Sequence, residues 1–173
     1  VKAKAEWIDI RVVDADDLEQ WLEQSPSVAI QFGEQLGLLG PGVESCLHHW
    51  RSWSQQCSPA ITFDALFIDR TDVQERLVTR IRRALLASEA PHLLAIRADS
   101  AEEAAAFVIA AILAAGDLVD QSLVVTDADG WRFVEANSQL RIAVAASPEV
   151  ALKPTIRAVS YTHLRAHETV LDL

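Results

Sequence analysis

The sequence predicts an α/β fold in which an N-terminal strand and helices precede alternating βαβ units with a short parallel sheet. Half of the 173 residues are hydrophobic, so the chain can bury a sizeable core. Apolar runs alternate with helical repeats in the second half, as in parallel strands joined by right-handed crossovers. This pattern predicts strands over 92–97, 122–126 and 140–146, and helices over 100–115 and 128–137.

The beginning of the chain is expected to form one strand and two helices. Ile8, Ile10 and Val12 alternate with polar residues, which is the period of a half-buried strand. Asp14 is the predicted N-cap of a first helix, and Ser25-Pro26 ends that helix and begins the next. The residues expected in the core from the second helix are Val28, Ile30, Phe32 and Leu36.

The middle of the chain is expected to be helical. The helix predicted over 43–56 has an apolar stripe made of Val43, Cys46, Leu47, Trp50 and Trp53. His48 and His49 point about 100° apart on a helix, so they are poorly placed to bind one metal ion. The apolar segment 61–68 predicts a strand or an extended lead-in, and a long helix is predicted over 69–86.

Charge and composition exclude several classes of function. The formal net charge of −10 argues against a broad nucleic-acid surface. No apolar run reaches the roughly 20 residues that span a bilayer, so no membrane partner is expected. Two isolated cysteines, Cys46 and Cys57, are typical of reduced thiols in a cytoplasmic protein. The basic residues of the long helix are typical of a solvated face: Arg76, Arg80, Arg82 and Arg83.

The strand–turn–helix stretch 92–115 is the centre of the predicted fold. In nucleotide-binding α/β domains such a unit carries the phosphate-binding loop, but this turn has neither glycine nor lysine. Ser100 is the predicted N-cap, and Glu103 is expected to complete a capping box with it. Asp99 and Glu102 add negative charge there, so this helix end is expected not to bind phosphate, as in a degenerate Walker A motif.

A second acidic turn follows the next strand. Asp127 and Asp129 come directly after the apolar strand 122–126, at the edge of a sheet where α/β proteins place ligands and Mg²⁺-binding acids. Both residues are also typical helix N-caps or first-turn acids. Ser100, Asp127 and Asp129 are therefore the candidate cofactor-binding residues of an alternative, nucleotide-binding reading. The sequence indicates no catalytic residues, no resident cofactor and no metal site.

The end of the chain carries a different kind of signal. Residues 159–169, VSYTHLRAHET, resemble one reading frame of a transposase adapter used in sequencing libraries. The segment 159–173 is therefore expected to be an artefact that is disordered or adventitiously structured, and the chain to be a fragment truncated near Ala158. His163 and His167 have the spacing of a zinc-binding pair, but on this interpretation they have no evolved role.

Four phrases carry a family resemblance: VVDADDLEQWLEQSP, GVESCLHHWRSWSQQCSPAIT, IRADSAEEAAAFVIAAI and VVTDADGWRFVEA. The chain resembles large, mostly uncharacterised bacterial proteins in which a restriction-endonuclease-like domain precedes a degenerate P-loop NTPase-like domain. The resemblance implies that 1–37 end the nuclease-like domain and that 38–70 are a helical linker region. It further implies that 71–158 begin an incomplete three-layer domain of P-loop or Rossmann-like type.

These observations predict a non-catalytic scaffold or sensor module of a multidomain bacterial protein related to DNA defence. Its expected partners are other domains of the same parent chain, with DNA contacted only through a nuclease-like region that lies upstream. One alternative is a Mg²⁺-dependent nucleotide-binding or NTPase domain that uses Asp127 and Asp129. Another alternative is an inert interdomain segment of a nuclease.

Overall fold

The computed structural model describes residues 13–38, 42–87, 94–98, 100–151 and 169–172, which form a mixed and mostly helical α/β structure. The helices are α1 (Ala15–Gln24), α2 (Pro26–Gln35), α3 (Cys46–Gln56), α4 (Phe63–Phe67), α5 (Thr71–Leu86), α6 (Ala101–Ala115), α7 (Ala128–Ala136) and α8 (Pro148–Ala151). The strands are β1 (Val43–Glu44), β2 (Leu94–Arg97), β3 (Ser122–Val125), β4 (Ile142–Ala145) and β5 (Thr169–Asp172). A short 3₁₀ helix, Val119–Gln121, leads into β3.

The main sheet has three strands in the order β1-β3-β4 and is mixed. Strands β3 and β4 are parallel, with Val124 opposite Val144, and α7 connects them, which confirms the predicted parallel βαβ crossover. Strand β1 pairs antiparallel with β3, with Val43 opposite Val125, so the expectation of a purely parallel sheet is wrong. Residues 43–44 form this strand, where the start of a helix was predicted, and α3 begins only at Cys46 because the Ser45 side chain accepts a hydrogen bond from the His48 N–H.

Strand β2 does not join this sheet. It pairs in parallel with β5, with Leu94 opposite Thr169 and Ile96 opposite Leu171. The prediction that this strand shares a parallel sheet with β3 is therefore wrong. Strands β1 and β4 occupy both hydrogen-bonding edges of β3, so β2 cannot lie next to β3, and β2 pairs with β5 instead.

The apolar helix α6 forms the centre of the core, as the sequence predicted. Phe107, Ile109 and Ile112 are completely buried, and burial of each such side chain stabilises the fold by about 1.5–3 kcal/mol. The helix packs against α3 and α5, and Phe107 meets Phe67 of α4 edge-to-face with ring centroids 5.4 Å apart. The small buried residues of α6 bring its backbone close to these neighbours: Ala105, Ala106, Ala110 and Ala111.

Trp50 and Trp53 belong to the same core. Trp50 is buried and stacks on Phe63 with ring centroids 4.4 Å apart, and Trp53 lies beside it on α3. The apolar segment folds as the short helix α4 from Phe63 onward, so the strand or extended lead-in predicted over 61–68 is wrong for most of its length. Thr62 starts this helix, because its hydroxyl accepts a hydrogen bond from the Ala65 N–H.

Helices α1 and α2 form an N-terminal pair at one side of this core. Asp14 caps α1 with a complete capping box, as its position predicted. Two of the core candidates of α2 are wrong, because Phe32 and Leu36 are 55% and 72% exposed. The other two core candidates of this helix, Val28 and Ile30, are partly buried.

Helix α2 is attached to the rest of the fold near both of its ends. The Ser27 hydroxyl donates to the Asp120 carbonyl, and Glu34 accepts hydrogen bonds from the Ser45 N–H at 2.7 Å and the Ser45 hydroxyl at 2.5 Å. The predicted strand over residues 8–12 lies outside the described residues. The segment 159–173 lies outside them as well, except for Thr169–Asp172, which form β5.

Candidate functional site

The N-terminus of α6 is capped by the chain itself. The Ser100 hydroxyl oxygen accepts a hydrogen bond from the Glu103 N–H at 3.3 Å, as predicted, and the hydroxyl donates to the Glu102 carboxylate at 3.4 Å. The predicted capping box is wrong in its second half. The Glu103 carboxylate accepts a hydrogen bond from the Arg70 guanidinium at 2.7 Å and does not return to Ser100, because Arg70 offers a charged partner at the start of α5.

The N-terminus of α7 is capped in the same way by Asp127. The Asp127 Oδ1 atom accepts hydrogen bonds from the Asp129 N–H at 2.7 Å and the Gly130 N–H at 3.1 Å. A phosphate at a helix N-terminus needs such free N–H donors. Here a fixed carboxylate already uses two of them, so this helix end is satisfied and negatively charged.

The backbone of Gly42 packs against the N-terminus of α7. Its φ is +68°, its carbonyl accepts a hydrogen bond from the Thr126 N–H at 2.9 Å, and its backbone lies directly against α7. A Cβ atom at Gly42 would lie 1.9 Å from Asp127 Oδ1 and 2.6 Å from the Gly130 nitrogen. Gly42 therefore fills the space in front of α7.

The three candidate cofactor-binding residues lie at two different helix ends. Asp127 and Asp129 lie at the start of α7, which follows β3, whereas Ser100 follows β2 of the other sheet. Asp129 pairs with Arg132 at 2.8 Å on an exposed face. Over the described ranges, no hydrogen bond links Ser100 to either aspartate, and no three His, Cys, Asp or Glu residues form a group that would hold a metal ion.

A polar junction between β1 and α3 is a feature that the sequence analysis missed. His49 Nδ1 lies 3.0 Å from Glu44 Oε2, and this hydrogen bond lowers the pKa of the Glu44 carboxyl although partial burial opposes it. Ser45 caps α3 and is held by Glu34. Burial raises the pKa of the adjacent Cys46 thiol to about 12, with the Glu34 charge acting in the same direction. This junction fixes the start of α3 and contains no activated nucleophile.

The most unusual surface lies on the N-terminal helix pair. We use the name "α1–α2 face" for the exposed apolar side chains of residues 13–38, which are Val13, Leu18, Trp21, Phe32, Leu36 and Leu38. Between the helices lies a shallow groove of about 430 Å³, lined by Ala15, Leu18, Glu19, Leu22, Glu23 and Ala29. The spacing of Leu18, Trp21 and Leu22 predicts an amphipathic helix, but it does not indicate that the apolar side of this helix is exposed.

Comparison of the chain with protein-family models, with curated proteins and with solved structures gave no match. Within the residues that the structure describes, no helix has the length and apolar character needed to cross a bilayer. Function is therefore inferred from the contacts and surfaces above.

Proposed function

We propose that this chain is a non-catalytic scaffold or sensor module of a multidomain bacterial protein that takes part in DNA defence. The observation that carries the proposal is that α6 and α7, the helices that follow strands β2 and β3, have N-termini capped by the chain's own side chains. Ser100 and Asp127 supply these caps. The connection to DNA defence is supported by the sequence resemblance alone.

The electrostatics of the two helix ends support the same proposal. Glu102 and Asp129 lie in the first turns of α6 and α7, where they repel an incoming phosphate. Gly42 also occupies the space in front of α7. Nucleotide binding at either place would require the chain to give up an existing cap, at a cost of about 1 kcal/mol, and to accept an added anion beside a carboxylate.

We also propose that the fold is an incomplete, degenerate relative of the P-loop or Rossmann-like three-layer domains. The parallel β3–α7–β4 crossover supports this relation. Cytoplasmic localisation is supported by the free thiols of Cys46 and Cys57. The proposed partners are other domains of the parent chain.

The test is a thermal-unfolding titration of the full chain with ATP and Mg²⁺. We expect no change in Tm. A ligand present at about 100 times its Kd would add about 2.7 kcal/mol, which corresponds to roughly 5–10 °C for a chain of this size. A rise of that size would refute the proposal if Asp127→Ala abolished it and Asp14→Ala, which removes an equivalent cap on α1, did not. That result would favour the Mg²⁺-dependent NTPase alternative.

A further inference from the structure

The α1–α2 face combines two properties that rarely occur together on a solvated surface. Six of the eight large hydrophobic side chains found exposed in the described residues belong to it, and the other two are Ile68 and Leu86. Residues 13–38 also contain no Lys, Arg or His. The acidic residues of this segment are Asp14, Asp16, Asp17, Glu19, Glu23 and Glu34. Several large apolar side chains exposed on one helix pair, with acidic residues among them, are typical of an interaction site.

One residue of the α1–α2 face, Leu18, also lines the groove between the two helices. Leu18 and Leu22 line the groove from α1, and they lie one helical turn apart. Ala29 lines it from α2, and Phe32 lies three positions further on the same side of that helix. No residue of α1 is buried, so its apolar stripe has little cover within the described part of the chain.

The acidic residues around the groove favour a positively charged binding partner. A second copy of the chain would bring an identical acidic rim against the first, and an anionic membrane would also be repelled by it. A helix that carries basic residues beside an apolar stripe complements both properties. Glu19 and Glu23 line the groove and would face such basic residues, while Leu18 and Trp21 would meet the stripe.

We propose that the α1–α2 face docks a cationic amphipathic helix of a partner segment. This inference deepens the proposed scaffold function by naming the surface and the chemistry of its partner. Attachment of α2 to the core through Glu34 and Ser27 gives the face a fixed base, so docking need not order both helices at once.

The probe is a synthetic amphipathic peptide of about 18 residues, with leucines on one helical face and lysines on the other. Its control has glutamates in place of the lysines. Calorimetric titration of the full chain is expected to show binding of the lysine peptide only. The affinity is expected to fall with added salt, because exposed charges are screened.

Matched variants locate the binding. Trp21→Ala is expected to weaken the Kd by about tenfold or more, because tryptophans often dominate helix-in-groove interfaces. Leu86→Ala removes an even more exposed apolar side chain elsewhere and is expected to leave Kd unchanged. A Glu19→Lys/Glu23→Lys pair is expected to weaken binding far more than Glu75→Lys/Glu135→Lys, which changes the net charge equally.

The inference is overturned if the lysine peptide does not bind at all, and three further results would also overturn it. The first is equal loss of affinity in the Trp21→Ala and Leu86→Ala proteins. The second is a concentration-dependent dimer in sedimentation that Trp21→Ala abolishes, which would make a second copy the occupant. The third is binding of anionic vesicles that depends on Trp21. None of these readouts involves nucleotide, so failure of this inference is distinguishable from failure of the scaffold proposal.

Discussion

Replacement of Gly42 by alanine tests the close packing of the Gly42 backbone against the N-terminus of α7. Gly42 has a φ of +68°, which an alanine adopts only at a cost of roughly 1–2 kcal/mol. The new Cβ atom would also lie 1.9 Å from Asp127 Oδ1 and 2.6 Å from the Gly130 nitrogen. The first of these overlaps can be relieved by moving a side chain, whereas the second requires a backbone shift.

The expected loss of stability is the sum of these effects. Displacing the Asp127 carboxylate removes an N-cap that contributes about 1 kcal/mol. Together with the backbone conformation this predicts a loss of about 2–3 kcal/mol for Gly42→Ala, and the backbone shift at Gly130 adds to it. Gly37→Ala is the matched control, because Gly37 has a φ of +76° and nothing lies within 4 Å of the place that an added methyl group would take. It is expected to lose only the conformational part, about 1–2 kcal/mol.

Urea unfolding followed by far-UV circular dichroism measures both variants, and unchanged m-values would show that the denatured state is unaffected. A double-mutant cycle with Asp127→Ala isolates the contact. In that background Gly42→Ala is expected to cost less, but still more than Gly37→Ala, because the Gly130 nitrogen remains in the way. Equal losses in Gly42→Ala and Gly37→Ala would refute the packing of Gly42 on α7.

Two further predictions concern the junction between β1 and α3. The pKa of Glu44 lies below its ordinary value of 4.5, so its stabilising effect is fully present above pH 4.5 and is lost as the pH falls through the folded-state pKa. Glu44→Gln is therefore expected to lower the free energy of unfolding at neutral pH, and the difference from the unaltered protein is expected to disappear in acid. A difference that does not change with pH would contradict this expectation. Cys46 is 2% exposed with a pKa of about 12, so a thiol reagent at neutral pH is expected to modify Cys57 alone, and Cys57→Ser to leave no reactive thiol until urea is added.

Helix starts were the most predictable part of this fold. Asp14 and Ser100 cap the helices that the sequence assigned to them, and Asp127, one of two aspartates that the sequence offered, caps α7. The reason is that an N-cap side chain bonds an N–H only two or three positions further along, so the whole signal is local. The partner of Glu103 was not predictable, because Arg70 lies 33 positions away in the sequence.

Strand pairing depended on distant residues and was largely mispredicted. Strand β1 has two residues, too few to show a period, and its identity depends on the pairing of Val43 with Val125. The partner of β2 likewise comes from the far end of the chain, where Leu94 meets Thr169. Only the β3–α7–β4 crossover was predicted correctly, because its parts follow one another directly.

The exposure of the α1–α2 face could not be predicted from the sequence. An apolar helical stripe predicts a face that avoids water, but it does not indicate whether the cover comes from the same chain. Phe32 was therefore predicted to be in the core, and the structure instead leaves it exposed beside the groove. The acidic composition around Trp21 was visible in the sequence, yet its meaning depended on that exposure.

The alanines of α6 restrict how this chain can evolve. Ala105, Ala106, Ala110 and Ala111 are all at most 6% exposed, so the distance from α6 to its neighbours is set by single methyl groups. Each enlargement at these positions would overpack the interior at a cost of typically 1–3 kcal/mol. We therefore expect homologues to keep small residues at these four positions, while the outer face of α5 is under no such packing constraint. A pair of adjacent small residues, repeated five positions later, is the sequence pattern that this packing requires.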